Sequence, residues 1–144
     1  MNANYKFVLC FFITVILMGC DSKPNELDIS KGLDPIYKCK YLTVDNVKKI
    51  NGKKIDENNY DVEFTYDINA NQTEMAELLR TMRNNKRNNK DDGLMILLSS
   101  CSLHAIYAIP SIITTPIVSG EGRATMEKTE NGWRMTDKVD VNIK

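Results

Sequence analysis

Few side chains here have the chemistry of a catalyst. Ser100 and His104 are four positions apart, one helical turn, so a helix would bring hydroxyl and imidazole within reach. A nucleophile also needs an oxyanion site and an activated geometry. Inside a regular helix the backbone amides are already bonded, so the pair reads as a helix-surface feature and no catalytic residue is expected. Cys101 lies near His104, but no second pair of ligands accompanies them, so no metal site is expected. Asp56-Glu57-Asn58-Asn59 is rich in oxygen but lacks the repeating ligand offsets of a calcium loop. It reads as a solvated hairpin connection. The sharpest exposed feature is basic: Arg80, Arg83, Lys86, Arg87 and Lys90. Such a run can rest on anionic lipid headgroups, meet an acidic partner protein, or simply complement a helix C-terminus.

These residues must be carried by a modest scaffold. The chain has 144 residues, the length of one ordinary domain. It is 42% hydrophobic and 26% charged, the balance of a folding sequence. Lys plus Arg is 19 and Asp plus Glu is 19, so the formal net charge is zero. A nucleic-acid binder working through its whole surface would be basic, and the basic run has no interleaved aromatics, so nucleic acid is not an expected partner. Nothing in the sequence implies a cofactor.

The N-terminus reads as an address. Lys6 precedes an apolar run from Phe7 to Met18, too short to span a bilayer comfortably and ending in small residues. The run closes in Leu17-Met18-Gly19-Cys20-Asp21-Ser22. This resembles the lipobox of bacterial lipoproteins. The resemblance implies that residues 1–19 are a signal peptide removed by the lipoprotein signal peptidase, and that Cys20 carries a diacylglyceryl thioether and an N-acyl chain such as palmitate. Several chains on one residue make anchoring persistent, since each buried methylene contributes about 0.8 kcal/mol. Asp21 beside the lipidated Cys resembles the inner-membrane retention signal of enteric-type lipoproteins, which implies the periplasmic face of the inner membrane rather than the outer membrane. The alternative is an ordinary secretory signal or membrane anchor in which Cys20 is incidental.

With Cys10 removed and Cys20 acylated, Cys39 and Cys101 remain, an even pair in an exported domain where disulfides form. A bond across 62 residues would contribute up to about 4 kcal/mol by loop entropy. Two buried thiols are the alternative.

Residues 20–38 are expected to hold the lipidated Cys and a tether, with a short helix around Leu27–Leu33 closed by Pro35, and residues 39–144 the single domain. Leu42-Thr43-Val44 alternates and Val47 and Ile50 shift phase, predicting a bulged strand, with Asn51-Gly52 supplying turn chemistry. Tyr60, Val62, Phe64, Tyr66 and Ile68 alternate strictly with Asp61, Glu63, Thr65 and Asp67, a strand with one dry and one wet face. Asn71 and Glu74 mark a helix start, and Met75, Leu78, Leu79 and Met82 its apolar stripe, over about 72–87. A second helix is expected over about 94–109, with Cys101 on its apolar face and Pro110 ending it. From Gly93 to Gly120 there is no charged residue. A polar stripe at Ser100, His104 and Tyr107 argues for a core helix there rather than a membrane span. Gly122, Ala124 and Met126 alternate inward, Glu130-Asn131-Gly132 makes a tight turn, and Trp133, Met135, Val139, Val141 and Ile143 form the inward set of the last strand. Asp137 falls in the inward phase and marks a bulge or bend.

The sum is an α+β fold: an antiparallel sheet from two β-hairpins, about 41–68 and 117–143, covered on one face by two helices. The closing hairpin, Gly120-x-Gly122 through Lys128-Thr129-Glu130-Asn131-Gly132-Trp133-Arg134, is similar to that of small cystatin-like or NTF2-like periplasmic lipoproteins, which implies a fold and no activity. The resulting expectation is a membrane-anchored, non-enzymatic module of the cell envelope that binds another protein. The alternative is a small-ligand binder using a sheet face lined by Tyr60, Phe64, Tyr66 and Trp133, with a Ser100–His104 hydrolase behind it.

Overall fold

In a computed structural model of the chain, residues 23–87 and 93–144 are described. The lipobox-like residues Leu17, Met18, Gly19 and Cys20, the sorting residue Asp21 and Lys90 of the basic run lie outside them. Four strands, β1 Leu42–Lys54, β2 Asn59–Ala70, β3 Ile117–Thr129 and β4 Gly132–Ile143, form one antiparallel sheet in the order β1-β2-β3-β4. Among the described residues, four helices accompany it: α1 Glu26–Tyr37, α2 Gln72–Arg87, α3 Gly93–Ser100 and α4 Leu103–Thr114. This is the expected α+β fold of two hairpins with helices on one face.

Strict alternation in β2 decides the layering. Val62, Phe64, Tyr66 and Ile68 are buried beneath the helices, while Asp61, Glu63, Thr65 and Asp67 look outward. Opposite them on β3, Val118, Ala124 and Met126 complete the dry face. Gly120 and Gly122 pair with Tyr66 and Phe64, and their missing side chains leave room for those two rings. The phase shift read near Val47 and Ile50 is a pair of register shifts between Asp45 and Lys48 and between Lys49 and Asn51. Asn46 takes a positive φ of 51° there, a conformation Asn tolerates better than most residues. The phase slip at Asp137 is a bulge in β4, where Ala124 pairs with Val139 but Met126 pairs with Met135.

Three expectations are corrected. Asn51-Gly52 is not a turn: β1 runs through both to Lys54, and the turn falls at Ile55–Asn58. There Asp56 accepts the backbone N–H groups of Asn58 and Asn59, each at 2.8 Å, which is the local chemistry that closes the hairpin. Gly52 instead gives space to the Tyr60 ring.

Residues 26–37 are not tether. Asn25 and Asp28 form a reciprocal capping box at 3.1 and 3.0 Å, which starts α1. Ile29, Leu33 and Tyr37 fall on one face and are buried against the sheet, α1 packing across β1 and β4. Burying Ile29 and Leu33 contributes about 1.5–3 kcal/mol each, and Tyr37 buries its ring besides, enough to carry the helix past Pro35. Pro35 sits on the exposed side, so the carbonyl it leaves unbonded is not forced into the core.

The expected helix over 94–109 is two helices. It breaks at Cys101–Ser102, where Ser102 caps α4 by accepting the N–H of Ala105 at 3.2 Å and donates its hydroxyl to the Ile36 carbonyl. Pro110 then lies inside α4, again on the exposed side. Cys39 and Cys101 are disulfide-bonded with Cα atoms 5.0 Å apart. The bond and Ser102 thus clip the α3–α4 junction to the end of α1. Ala105, Ala108, Ile109 and Ile112 bury α4 over β2 and β3. No helix of the described residues is long and apolar enough to cross a membrane.

Candidate functional site

The uncharged stretch beginning at Gly93 has two fates. Its inward residues finish the core, but its outward residues are largely apolar too. Met95 is 66% exposed and Leu98 45%, one turn apart on α3. Leu103 is 61% and Tyr107 79% exposed on α4, again one turn apart, with Pro110 next along the same stripe. α3 and α4 contact each other, so two neighbouring helices turn apolar side chains to solvent with no charge among them. Exposed apolar surface of this kind marks contact with another molecule more often than it marks a core.

Beside it stands the basic run. α2 packs against α3, and its Arg80, Arg83, Lys86 and Arg87 are all exposed. Asn71 accepts the Glu74 N–H at the helix start, and Glu74 in turn pairs with Lys40 at 2.7 Å, which raises the Lys40 amine above its usual pKa. The acidic end of α2 is therefore tied to the domain through Lys40. Tyr107 was read on the polar stripe, but Met95, Leu98 and Leu103 were not legible as surface in the sequence, where Leu98 falls on the same helical arc as Leu97 and Cys101. The available signal was a polar stripe that contains no charge.

Other constellations do not converge. The helix break separates Ser100 from His104, and no hydrogen bond joins them among the described residues. His104 turns an edge to the Tyr37 ring, with centroids 6.4 Å apart. Cys101 is occupied by its disulfide, and among the described residues no three of His, Cys, Asp and Glu gather as a metal would require. The aromatics expected to line a ligand face are core: Phe64 and Tyr66 are each 1% exposed, and Tyr60 and Trp133 show only an edge. Inside that core the Tyr37 and Tyr66 hydroxyls bond each other at 2.9 Å. Burial pushes both phenols above their usual pKa, and for Tyr66 the Tyr37 hydrogen bond adds to the rise.

The outer sheet face is a ladder of matched charges. Arg123 pairs with Glu63 at 3.0 Å, Lys144 with Glu121 at 2.6 Å, and Arg134 with Glu127 at 2.9 Å. Asp67 accepts Ser119 at 2.6 Å and Asn46 at 2.8 Å, which holds its carboxyl below the ordinary range. A furrow of about 650 Å³ crosses this face, and within it Arg123 is engaged with Glu63 and Thr125 with Asp61. At the hairpin end of the sheet a second groove, about 480 Å³, is lined by Lys23, Lys53, Lys54, Glu57, Tyr60 and Trp133.

No family model, no curated protein and no solved structure matches this chain.

Proposed function

We propose that the chain is a bacterial lipoprotein, cleaved before Cys20 and anchored by acyl chains on that residue, whose domain acts as a non-enzymatic protein-binding module in the cell envelope. Under the same reading the Asp21 neighbour favours the periplasmic face of the inner membrane over the outer membrane. What supports the binding role is the outer surface of α3 and α4: Met95, Leu98, Leu103 and Tyr107 stand in solvent within a stretch that carries no charge. The flanking cations Arg80, Arg83, Lys86 and Arg87 supply a polar rim. The partner that fits is a protein presenting an apolar patch edged by acidic side chains, the usual layout of an interface core and its rim.

Site-specific photocrosslinking in intact cells tests this. A photoreactive residue at position 107 should give one defined protein adduct, lost when Leu103→Asp is added. The same residue at position 65, on the charged sheet face, should not give that adduct. Identical adducts from both positions, or none from 107, would remove the basis for the partner surface.

A further inference from the structure

We propose that the hairpin end of the sheet is a lipid-headgroup contact, with Lys23, Lys53 and Lys54 facing anionic phospholipid around the groove lined by Trp133. The inference rests on the reading of Cys20 as the acylated residue, and adds to it a fixed orientation of the domain on the bilayer.

The path of the chain carries the argument first. Pro24 is buried, and its carbonyl accepts the Lys49 amine at 2.8 Å. That amine also lies 4.7 Å from the centroid of the Tyr60 ring. Burial, with Lys23 adding to it, lowers the Lys49 pKa. The entry of the chain into the fold is therefore pinned beside β1 at the hairpin end. Lys23 is three positions after Cys20, a reach of about 10 Å at full extension. An acyl anchor at Cys20 would hold Lys23 about one Debye length from the headgroups.

What surrounds Lys23 suits that layer. Lys53 and Lys54 end β1 on the same groove, and Ile55 at the adjoining turn is exposed. The groove's apolar wall is Tyr60 and Trp133, whose rings meet edge to face with centroids 6.0 Å apart. Aromatics beside lysines are the usual furnishing of a membrane–water boundary. The basic end of α2 cannot share this role. α2 starts after Ala70, at the opposite end of β2 from Asn59, about 36 Å away at the strand rise, and its Leu78 and Thr81 still lie beside Lys40 and Tyr41 at that end. The same geometry turns the α2 and α3 end away from the bilayer, towards a partner.

The full chain, purified with its N-terminal modification, is reconstituted in vesicles of phosphatidylcholine alone or with equal parts phosphatidylglycerol, each carrying a dansyl-headgroup lipid. Trp133 is the single tryptophan, so energy transfer to dansyl reports this end of the domain alone. Transfer should be stronger on the anionic vesicles and fall to the neutral level in about 1 M salt, where the Debye length is about 3 Å. Replacing Lys23, Lys53 and Lys54 by Gln should lower the ratio of docked to lifted domain about 100-fold, at about fivefold per lysine. All three are exposed, and an unchanged circular dichroism spectrum shows that the variant folds. Replacing Arg80, Arg83, Lys86 and Arg87 by Gln should leave transfer unchanged, as should inorganic phosphate at matched ionic strength. Equal transfer on both vesicles, loss in the α2 variant alone, or displacement by phosphate overturns the contact. Mass spectrometry of the same sample separates the two readings. Acylated Cys20 with equal transfer refutes the contact and spares the anchor, whereas unacylated Cys20 refutes the anchor and the contact with it.

Discussion

Replacing Gly122 by alanine should destabilise the domain by about 1–2 kcal/mol. Gly122 sits on β3 between Phe64 of β2 and Val141 of β4. A Cβ there would stand 2.7 Å from Phe64 Cζ and 2.9 Å from the Asp140 carbonyl oxygen. The ring is a side chain and can turn, but it is 1% exposed and has neighbours on every side. The carbonyl belongs to the adjoining strand and moves only if the strand does. Overpacking of this kind costs about 1–3 kcal/mol, and the stiffer unfolded chain returns about 0.4–1 kcal/mol. For a domain of some 120 residues, the net loss corresponds to a Tm lower by about 4–8 °C. Thermal unfolding followed by circular dichroism reads it, and a Phe64→Leu background separates ring from backbone. If the ring is the obstacle, the alanine costs less in that background; if the carbonyl is, the cost is the same. An unchanged or higher Tm in the single variant would refute the reasoning, because it would mean that the two glycines are not what lets the rings lie over β3.

Removing the disulfide with Cys39→Ala and Cys101→Ala should cost up to about 4 kcal/mol of stability through the 62-residue separation, read as a lower urea midpoint; a change under about 1 kcal/mol would contradict it. The Tyr37–Tyr66 pair sets the alkaline limit. Both phenols have folded pKa values above their unfolded value, so stability is complete below about pH 10 and falls above it as the unfolded chain ionises. Phe at both positions should flatten that fall in urea midpoints taken between about pH 9 and 11, and an equally steep fall would exclude the pair as its source. Asp67 works in the opposite sense. Its folded pKa is depressed by Ser119 and Asn46, so its contribution is present above about pH 4 and lost as pH drops through the lowered value. Asp67→Asn should therefore reduce the acid sensitivity of unfolding, and an unaltered acid limb would show that these hydrogen bonds do not select the ionised form.

Legibility in the sequence tracked how local the physics is. The period of β2, the phase slips at Val47 and Asp137, and the Asn71 start of α2 are each set by neighbours in the chain, and each is where the pattern put it. The failures have a common cause. Asn51-Gly52 carries strong turn chemistry, but Gly52 is wanted for the Tyr60 ring, a partner on the next strand. Pro35 and Pro110 read as helix ends because their local effect is disruptive, yet burial of Leu33 and Tyr37 in one case and Ile109 and Ile112 in the other outweighs it. Ser102 breaks a continuous apolar pattern because a carbonyl of α1, Ile36, lies against it. The α3–α4 surface was hidden for the same reason: an apolar residue is only known to be exposed once its neighbours are placed. The Lys23 groove joins residues from three separate segments, which no window of sequence could unite.

The anchor, the compartment and the orientation of the domain all depend on what Cys20 carries. Intact-mass and peptide mass spectrometry of the protein from the membrane fraction should find a chain that begins at Cys20 with a diacylglyceryl group on its sulfur and an acyl group on its nitrogen. The Cys20→Ser variant should lose both the modification and the membrane association. A membrane-associated chain that keeps its first nineteen residues, with an unmodified Cys20 thiol, would contradict the account.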